Sequence, residues 1–440
     1  MKRALLIYTF VAALGGLLFG FDTAVINGAL PFFTKHFGLT EAMKGWAVSS
    51  ALIGCIIGAL FIGRPGDIFG RRYMLRILAV LFLVGAIGTG LANNLTVFVI
   101  FRFIGGLAIG GSSVLSPMYI SEIAPAHQRG RLAITFQLAI VIGILVAFFS
   151  DYLLLNTGPN NWRWMFIAGA VPAIAFFILL FFVSRSPRWL VKTGRIEEAR
   201  KVLKEVNAEA DCERTIQEIH DSINSEVMNK SIYLFKKPYL KLVLIGIAVG
   251  MFNQFTGINI IMYYATDIFR SAGFSTGSAI GQTVIIGCTN LIFTIVAMTI
   301  IDKIGRKKLL LTGAVGMAVF LGFFSYAFIS GNIGGYLLLV MLIGFIGFFA
   351  ASQGAVIWVL LSEMFPNNIR ARGSAIGSFS HWFFNAVLTF LFPVIAASIG
   401  TGYVFMFYTV ATLVSFFFFR RFLFETKGRS LEELEKVVLK

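Results

Sequence analysis

The chain is 440 residues long, 58% hydrophobic and 13% charged, with a mean hydropathy of +0.84. So little polar surface excludes a soluble globular domain. The formal net charge of +16 does not point to nucleic acid, because the Lys and Arg residues lie in short loops between apolar runs, as the positive-inside rule requires of a membrane protein.

The runs, such as 75–92 and 403–419, are apolar on every side. Barrel strands would alternate, so helices of about 20 residues are predicted. Met1-Lys2-Arg3 followed by an apolar run mimics a signal peptide, but the run is too long, lacks a small-residue cleavage site and contains Asp22. It reads as a first, retained membrane helix at 6–33. Further helices are predicted at 46–66, 73–92, 96–120, 131–154 and 163–184. A hydrophilic segment, 186–234, follows, in which 195–204 has the periodicity and Glu–Lys/Arg spacing of a surface helix. Six more helices are predicted at 239–269, 280–301, 308–329, 336–361, 371–397 and 401–422. The chain therefore divides into a six-helix bundle at 1–185, a helical linker at 186–234, a second six-helix bundle at 235–422 and a tail at 423–440.

Lys and Arg set the orientation. One side carries Arg71, Arg72, Arg76, Arg129, Arg131, the linker, Lys303, Arg306, Lys307, Lys308, Arg370 and Arg372, and the other only a few, such as Lys35, Lys44, Arg163 and Arg270. The basic side is expected to be cytoplasmic, with the linker and both termini on it, in a cytoplasmic membrane. Cys55 and Cys288 lie in apolar runs and Cys212 in a polar stretch expected to be a loop. Free thiols are expected, without a disulfide framework.

The halves repeat. Asp67 with Gly70-Arg71-Arg72 recurs as Asp302 with Gly305-Arg306-Lys307, and Glu122 with Arg129 recurs as Glu363 with Arg370, at offsets of 235 and 241 residues (67 to 302, 122 to 363). Two charged motifs in the same order at nearly the same spacing indicate a duplicated unit, an architecture of transporters. Carboxylates and guanidinium groups at helix ends can form a charge-assisted lock at the cytoplasmic face, made of Asp67, Arg71, Glu122 and Arg129 in one half and Asp302, Arg306, Glu363 and Arg370 in the other. The glutamates can pair within their own half or reach across.

Asp22 lies about 24 Å along the first helix, where an ionised carboxylate is expensive unless paired. Arg102 is a plausible partner, and a pair facing water could take up and release a proton. In helix 7, Asn253, Gln254 and Asn259 place amides in an apolar helix, followed by Tyr263 and Tyr264. Amides need partners there, and they suit an uncharged polyol. Gln137 and Asn290 add two more, while Trp358 and Trp382 offer flat faces for a sugar ring. His381, beside Trp382, reads either as packed in the helix or as a ligand contact. Neither a metal cluster nor a phosphate loop is visible, and the glycines at 105–111 read as helix-packing positions rather than a dinucleotide fingerprint. No cofactor and no enzymatic activity are expected.

Together these motifs resemble the sugar porter family of the major facilitator superfamily, over essentially the whole chain: Asp67-x-x-Gly-Arg-Arg, Tyr119-Ile-Ser-Glu-Ile-Ala-Pro with Arg129-Gly, Ser186-Pro-Arg-Trp-Leu190, Gln254 with Gly257-Ile-Asn259, Asp302-x-x-Gly-Arg-Lys, and Glu425-Thr-Lys-Gly428. The resemblance implies an all-α major facilitator fold of twelve transmembrane helices in two six-helix bundles, with cytoplasmic helices between them. It implies sugar contacts at Gln137, Gln254, Asn259, Asn290, Trp358 and Trp382, a proton-coupling pair in Asp22 and Arg102, and an outer gate at Tyr263 and Tyr264. The stretches 17–28 and 358–366 look most like proton-coupled bacterial members. The expected partners are a monosaccharide of xylose or glucose type, protons and the bilayer, with a functional monomer.

The chain departs from the family at Asn253, where glutamine is usual, and at His381, Ala350, Ile68, Ser184-Arg185 and Phe424. The shorter amide at 253 either loses reach to the sugar or makes room for a different one. A passive uniporter, a non-transporting sugar sensor and a drug–proton antiporter remain as alternatives on the same scaffold.

Overall fold

The computed structural model describes residues 3–125, 128–206, 212–228, 234–235, 239–331, 336–366 and 369–427. Among these, all regular structure is helical. Twelve helices are long and apolar enough to cross a membrane. Spans 1 to 6 are Arg3–Phe37, Glu41–Phe61, Arg71–Gly90, Leu95–Ile123, Ile134–Leu154 and Asn161–Leu179; spans 7 to 12 are Leu240–Ser271, Thr276–Ile304, Arg306–Ser330, Leu337–Leu361, Arg372–Ile399 and Thr401–Phe422. Large apolar side chains such as Phe10, Phe61, Phe182, Phe323 and Phe417 point outward, exposed. In water that surface would be a liability; in hydrocarbon it is the required solvent face.

Each sequence-predicted helix has its span, with boundaries displaced by a few residues. Span 2 ends five residues earlier than expected, and the loop beyond it holds a short helix, Gly63–Phe69, that hydropathy does not reveal. The linker folds as Pro187–Lys192, Ile196–Val206 and Cys212–Met228. Ser186 caps the first of these through Trp189 N, with Pro187 in the opening turn, the arrangement both residues favour. The three helices close over Trp189, Leu190, Val202, Leu203, Cys212 and Ile216. Cys212 thus begins a helix and is buried, instead of lying in a loop; all three cysteines are free thiols.

Two compact units are distinguished. The first holds Met1–Asp22, Gly54–Gly143 and Phe166–Ile232; the second holds Thr23–Ile53, Ile144–Met165 and Tyr233–Lys440. In the first unit, spans 2 and 4 meet through small residues. A Cβ on Gly54, Gly58 or Gly110 would strike the facing backbone of Phe103, Leu107 or Cys55. Such contact supplies dispersion where lipid offers no hydrophobic drive.

In the second unit, spans 7 and 10 are interrupted. Span 7 stops as a helix at Gln254 and restarts at Ile258, after Gly257 at φ +78°. Span 10 breaks at Ser352, whose Oγ donates to Phe348 O at 2.6 Å, and restarts at Gln353. Broken membrane helices expose backbone and polar side chains at mid-depth and mark binding sites. Gly257 has two reasons to be glycine: its positive φ, and a Tyr408 ring that a Cβ would meet at 2.5 Å. Gly257→Ala is expected to cost about 2–3 kcal/mol and to lower the thermal midpoint of the purified protein. An unchanged midpoint would remove this reading of the break.

Candidate functional site

In the first unit, Asp22 and Arg102 stand as an ion pair inside the membrane-spanning helices. Arg102 Nη1 donates to Asp22 Oδ1 at 2.9 Å and to the Asp22 backbone oxygen at 3.1 Å. The side chains are 14% and 3% exposed. The pair is incomplete. Asp22 Oδ2 and Arg102 Nε are buried without partners, while the Arg102 guanidinium lies 5.5 Å from the Phe166 ring centroid. Gly105 makes the room, since a Cβ there would sit 3.0 Å from Asp22 Oδ2. A single charge-assisted bond in a dry setting is a poised element: protonation of Asp22 removes the attraction but leaves the backbone acceptor to hold Arg102.

The second unit gathers amides at the two helix breaks. Gln254 Nε2 donates to Asn253 Oδ1 at 2.9 Å and faces His381 Nδ1 at 3.0 Å; Gln254 Oε1 accepts from Asn259 Nδ2 at 2.7 Å. With Nδ1 as acceptor, the His381 proton sits on Nε2. The imidazole lies 4.8 Å from the Trp358 ring and 5.4 Å from Trp382. The cluster thus joins Asn253, Gln254, Asn259, Trp358, His381 and Trp382 through hydrogen bonds and ring contacts. Asn290, on span 8, is buried in the same unit, whereas Gln137 is half-buried in the first unit.

Sequence reading missed Gln353. Its Oε1 accepts from Asn253 Nδ2 at 3.3 Å, and its Nε2 is buried without a partner. The shorter amide at 253 therefore bonds to protein on both sides, to Gln254 and to Gln353. The available signal was the Ser352-Gln353 dipeptide in the middle of an apolar run. Asn385 was missed too: its Nδ2 donates to Tyr263 Oη at 3.2 Å, while Tyr264 Oη donates to Thr389 O at 2.9 Å.

At the span ends remote from the basic loops, helices of the two sequence halves meet within the second unit. Asn27 Oδ1 of span 1 accepts from Thr266 N of span 7 at 2.8 Å. Lys44 of span 2 pairs with Asp267 of span 7 at 3.3 Å, and Gly45 of span 2 lies against the Phe390 carbonyl of span 11.

The charged motifs form one network in each unit. In the first, Arg71 bridges Asp67 (2.8 Å) and Glu122 (2.9 Å), Glu122 also accepts from Ser186 Oγ, and Lys192 takes the second Asp67 oxygen at 3.0 Å. In the second, Arg306 bridges Asp302 (2.9 Å) and Glu363 (3.0 Å), and Glu363 accepts from Thr426 Oγ1 at 2.6 Å. Glu425 caps span 9 by accepting from Arg306 N and Lys307 N at 2.8 and 3.1 Å. Each network stays within one compact unit and draws in residues of the linker (Ser186, Lys192) or the tail (Glu425, Thr426). The side chains of Arg129 and Arg370, and Gly428, lie outside the described residues.

A family model described as Sugar (and other) transporter matches residues 8–438. The Arabinose-proton symporter of Bacillus subtilis (strain 168) is 38% identical over 435 residues, covering 98% of this chain and 94% of that protein. The D-xylose-proton symporter of Escherichia coli (strain K12) is 38% identical over 466 residues, covering 97% and 94%. Among solved structures, the inward open conformation of the xylose transporter XylE from E. coli superposes with a TM-score of 0.87 at 36% identity, covering 98% of this chain and 99% of that one.

Proposed function

The chain belongs to the Sugar (and other) transporter family, and on that premise we propose that it is a proton-coupled monosaccharide symporter of a bacterial type, working by alternating access in a cytoplasmic membrane. It is a transporter and not an enzyme. One observation carries the reading: a buried Asp22–Arg102 pair coexists with an uncharged cluster of amides, imidazole and indoles at two broken helices. The first can hold a proton and the second can hold hydroxyl groups.

The basic loops face the cytoplasm, with both termini. The moving bodies are the six-helix halves, 1–185 and 235–422. Sugar hydroxyls exchange for the internal bonds of Gln254 and Asn259 while the ring lies on Trp358. Asn290, Trp382 and Gln137 keep the contact roles that their resemblance to the family suggests. The Asn27–Thr266 and Lys44–Asp267 bonds belong to the outer closure, with Tyr263 and Tyr264 beside it as the gate. The Arg71 and Arg306 networks brace the cytoplasmic ends of their own halves. Coupling requires that proton and sugar favour the same conformation. The two relatives named above carry pentoses, so arabinose and xylose are the first substrates to test.

In proteoliposomes, labelled xylose, arabinose and glucose are measured with and without an inward proton gradient. Accumulation of at least one above equilibrium, abolished by a protonophore, is the expected result. Equilibration that ignores the gradient would establish a passive uniporter on the same scaffold, and no movement of any sugar would remove the substrate class.

A further inference from the structure

Span 5 carries a second carboxyl within the membrane-spanning helices, Asp151, which neither the amide cluster nor the Asp22–Arg102 pair uses. Its side chain is 0% exposed. Oδ2 accepts one bond, from Gly28 N at 3.2 Å, and Oδ1 has no partner. The approach is so close that a Cβ on Gly28 would overlap the carboxyl. Span 1, through Gly28, and span 8, whose Gly277, Gly281 and Gly287 face Leu155, Tyr152, and Leu145 with Phe148, lie against this stretch, and Tyr336 and Leu339 at the start of span 10 line a pocket beside Tyr152 and Leu155.

The ionisable groups of those elements are occupied or distant. On span 1, Asp22 holds Arg102 and His36 lies on the Trp162 ring; Tyr8 bonds Ser184 near the opposite end, and Lys35 is two turns beyond Gly28. On span 8, Cys288 is exposed, and Asp302 and Lys303 sit at the far end. Among the described residues, the hydrogen-bond partner of the Asp151 carboxyl is the Gly28 amide, on Oδ2, while Oδ1 has none. An ionised carboxylate with one donor and an orphaned oxygen, away from water, loses several kcal/mol of hydration that one hydrogen bond does not return. A neutral acid in the same place keeps the Gly28 bond and carries no such penalty.

We propose that Asp151 is a second protonation site, a gate proton that must be in place for the outer ends of spans 1 and 5 to stand closed against span 8. This rests on the orientation and alternation proposed above. When the closure opens, external water reaches the carboxyl and takes its proton, leaving a carboxylate and a hydronium ion outside; reclosure takes one proton back from the same side. Because it exchanges with one side only, this proton controls how readily the outer gate shuts without adding to the proton-to-sugar ratio.

Asp151→Asn keeps the side chain's size and an acceptor for Gly28 N, but stays neutral at every pH. The test uses Asp22→Asn as background, in which the coupling carboxyl no longer titrates. Counterflow of that variant is expected to fall about fivefold or more as external pH rises from about 6 to about 9, and the Asp22→Asn/Asp151→Asn double variant is expected to stay flat. The same profile in both, or a flat profile in the single variant, overturns the proposal. Asp151→Asn alone must still accumulate sugar at the wild-type proton ratio, and loss of accumulation would place Asp151 in the coupling path instead. A second readout needs no sugar. The infrared carbonyl band of a neutral carboxylic acid, present in the wild type, should be lost in Asp151→Asn; an unchanged spectrum means an ionised carboxylate in the closed state and sinks the gate, whatever the substrate proves to be.

Discussion

Asp22→Asn is expected to lose uphill sugar accumulation and to keep counterflow. For one proton per sugar, a gradient of about one pH unit supplies about 1.4 kcal/mol and sustains about tenfold accumulation; the variant should fall to a ratio of about one. The amide cannot release a proton, so the carrier is held as if permanently protonated. It retains an oxygen for Arg102 Nη1, which also keeps the Asp22 backbone carbonyl at 3.1 Å. Those contacts limit the penalty of leaving a buried guanidinium without its counter-charge, which otherwise reaches about 3–5 kcal/mol. Counterflow needs the conformational change with sugar bound but no net proton release, so it survives. The measurement is paired uptake and counterflow in the same vesicles. Equal accumulation by variant and wild type would remove Asp22 from coupling. Loss of both activities with an unfolded protein would be resolved by Arg102→Gln in the Asp22→Asn background, which removes the orphaned charge.

The contrast between what the sequence discloses and what it hides follows from range. Spans are legible because each is a continuous apolar run, and lipid demands that every backbone group bond locally. The repeated Asp-x-x-Gly-Arg motifs are legible because Gly70 and Gly305 share a backbone conformation, φ +90° and +98°, that only glycine adopts readily, and because the following arginine must reach a carboxylate one turn back. Asp22 announces itself by sitting deep in an apolar helix. Asp151 does not, because it lies three residues from the end of its span, where a carboxylate looks solvated; tertiary packing, with Gly28 directly against the carboxyl, buries it. Gln353 is hidden for a related reason. Its neighbour in space is Asn253, a hundred residues away, and no periodicity within span 10 connects them. The short amide at 253 is met by a second amide, Gln353, from across the helix breaks.

Gln254→Leu is expected to raise the half-saturating sugar concentration about 30- to 100-fold, the largest effect of any single substitution in the amide cluster. Gln254 is the hub: its amide bonds Asn253 and Asn259 and faces His381. An apolar chain of similar size leaves an Asn253 oxygen and an Asn259 N–H unsatisfied in a buried site, at about 1–3 kcal/mol each, and it removes the group through which the cluster can exchange internal bonds for sugar hydroxyls. A polar pocket built to bond hydroxyls discriminates strongly against losing a partner, whereas an apolar pocket tolerates it. The conservative counterpart is His381→Gln, which restores a side chain able to accept from Gln254 and should stay within about fivefold of wild type while losing ring contact with Trp358. Concentration-dependent counterflow separates the two, and sugar-induced thermal stabilisation provides an independent affinity. If Gln254→Leu binds sugar within about threefold of wild type, the hydroxyls are held elsewhere. If His381→Gln is as damaging as Gln254→Leu, the imidazole is itself a sugar contact, and Gln254 serves chiefly to hold its tautomer.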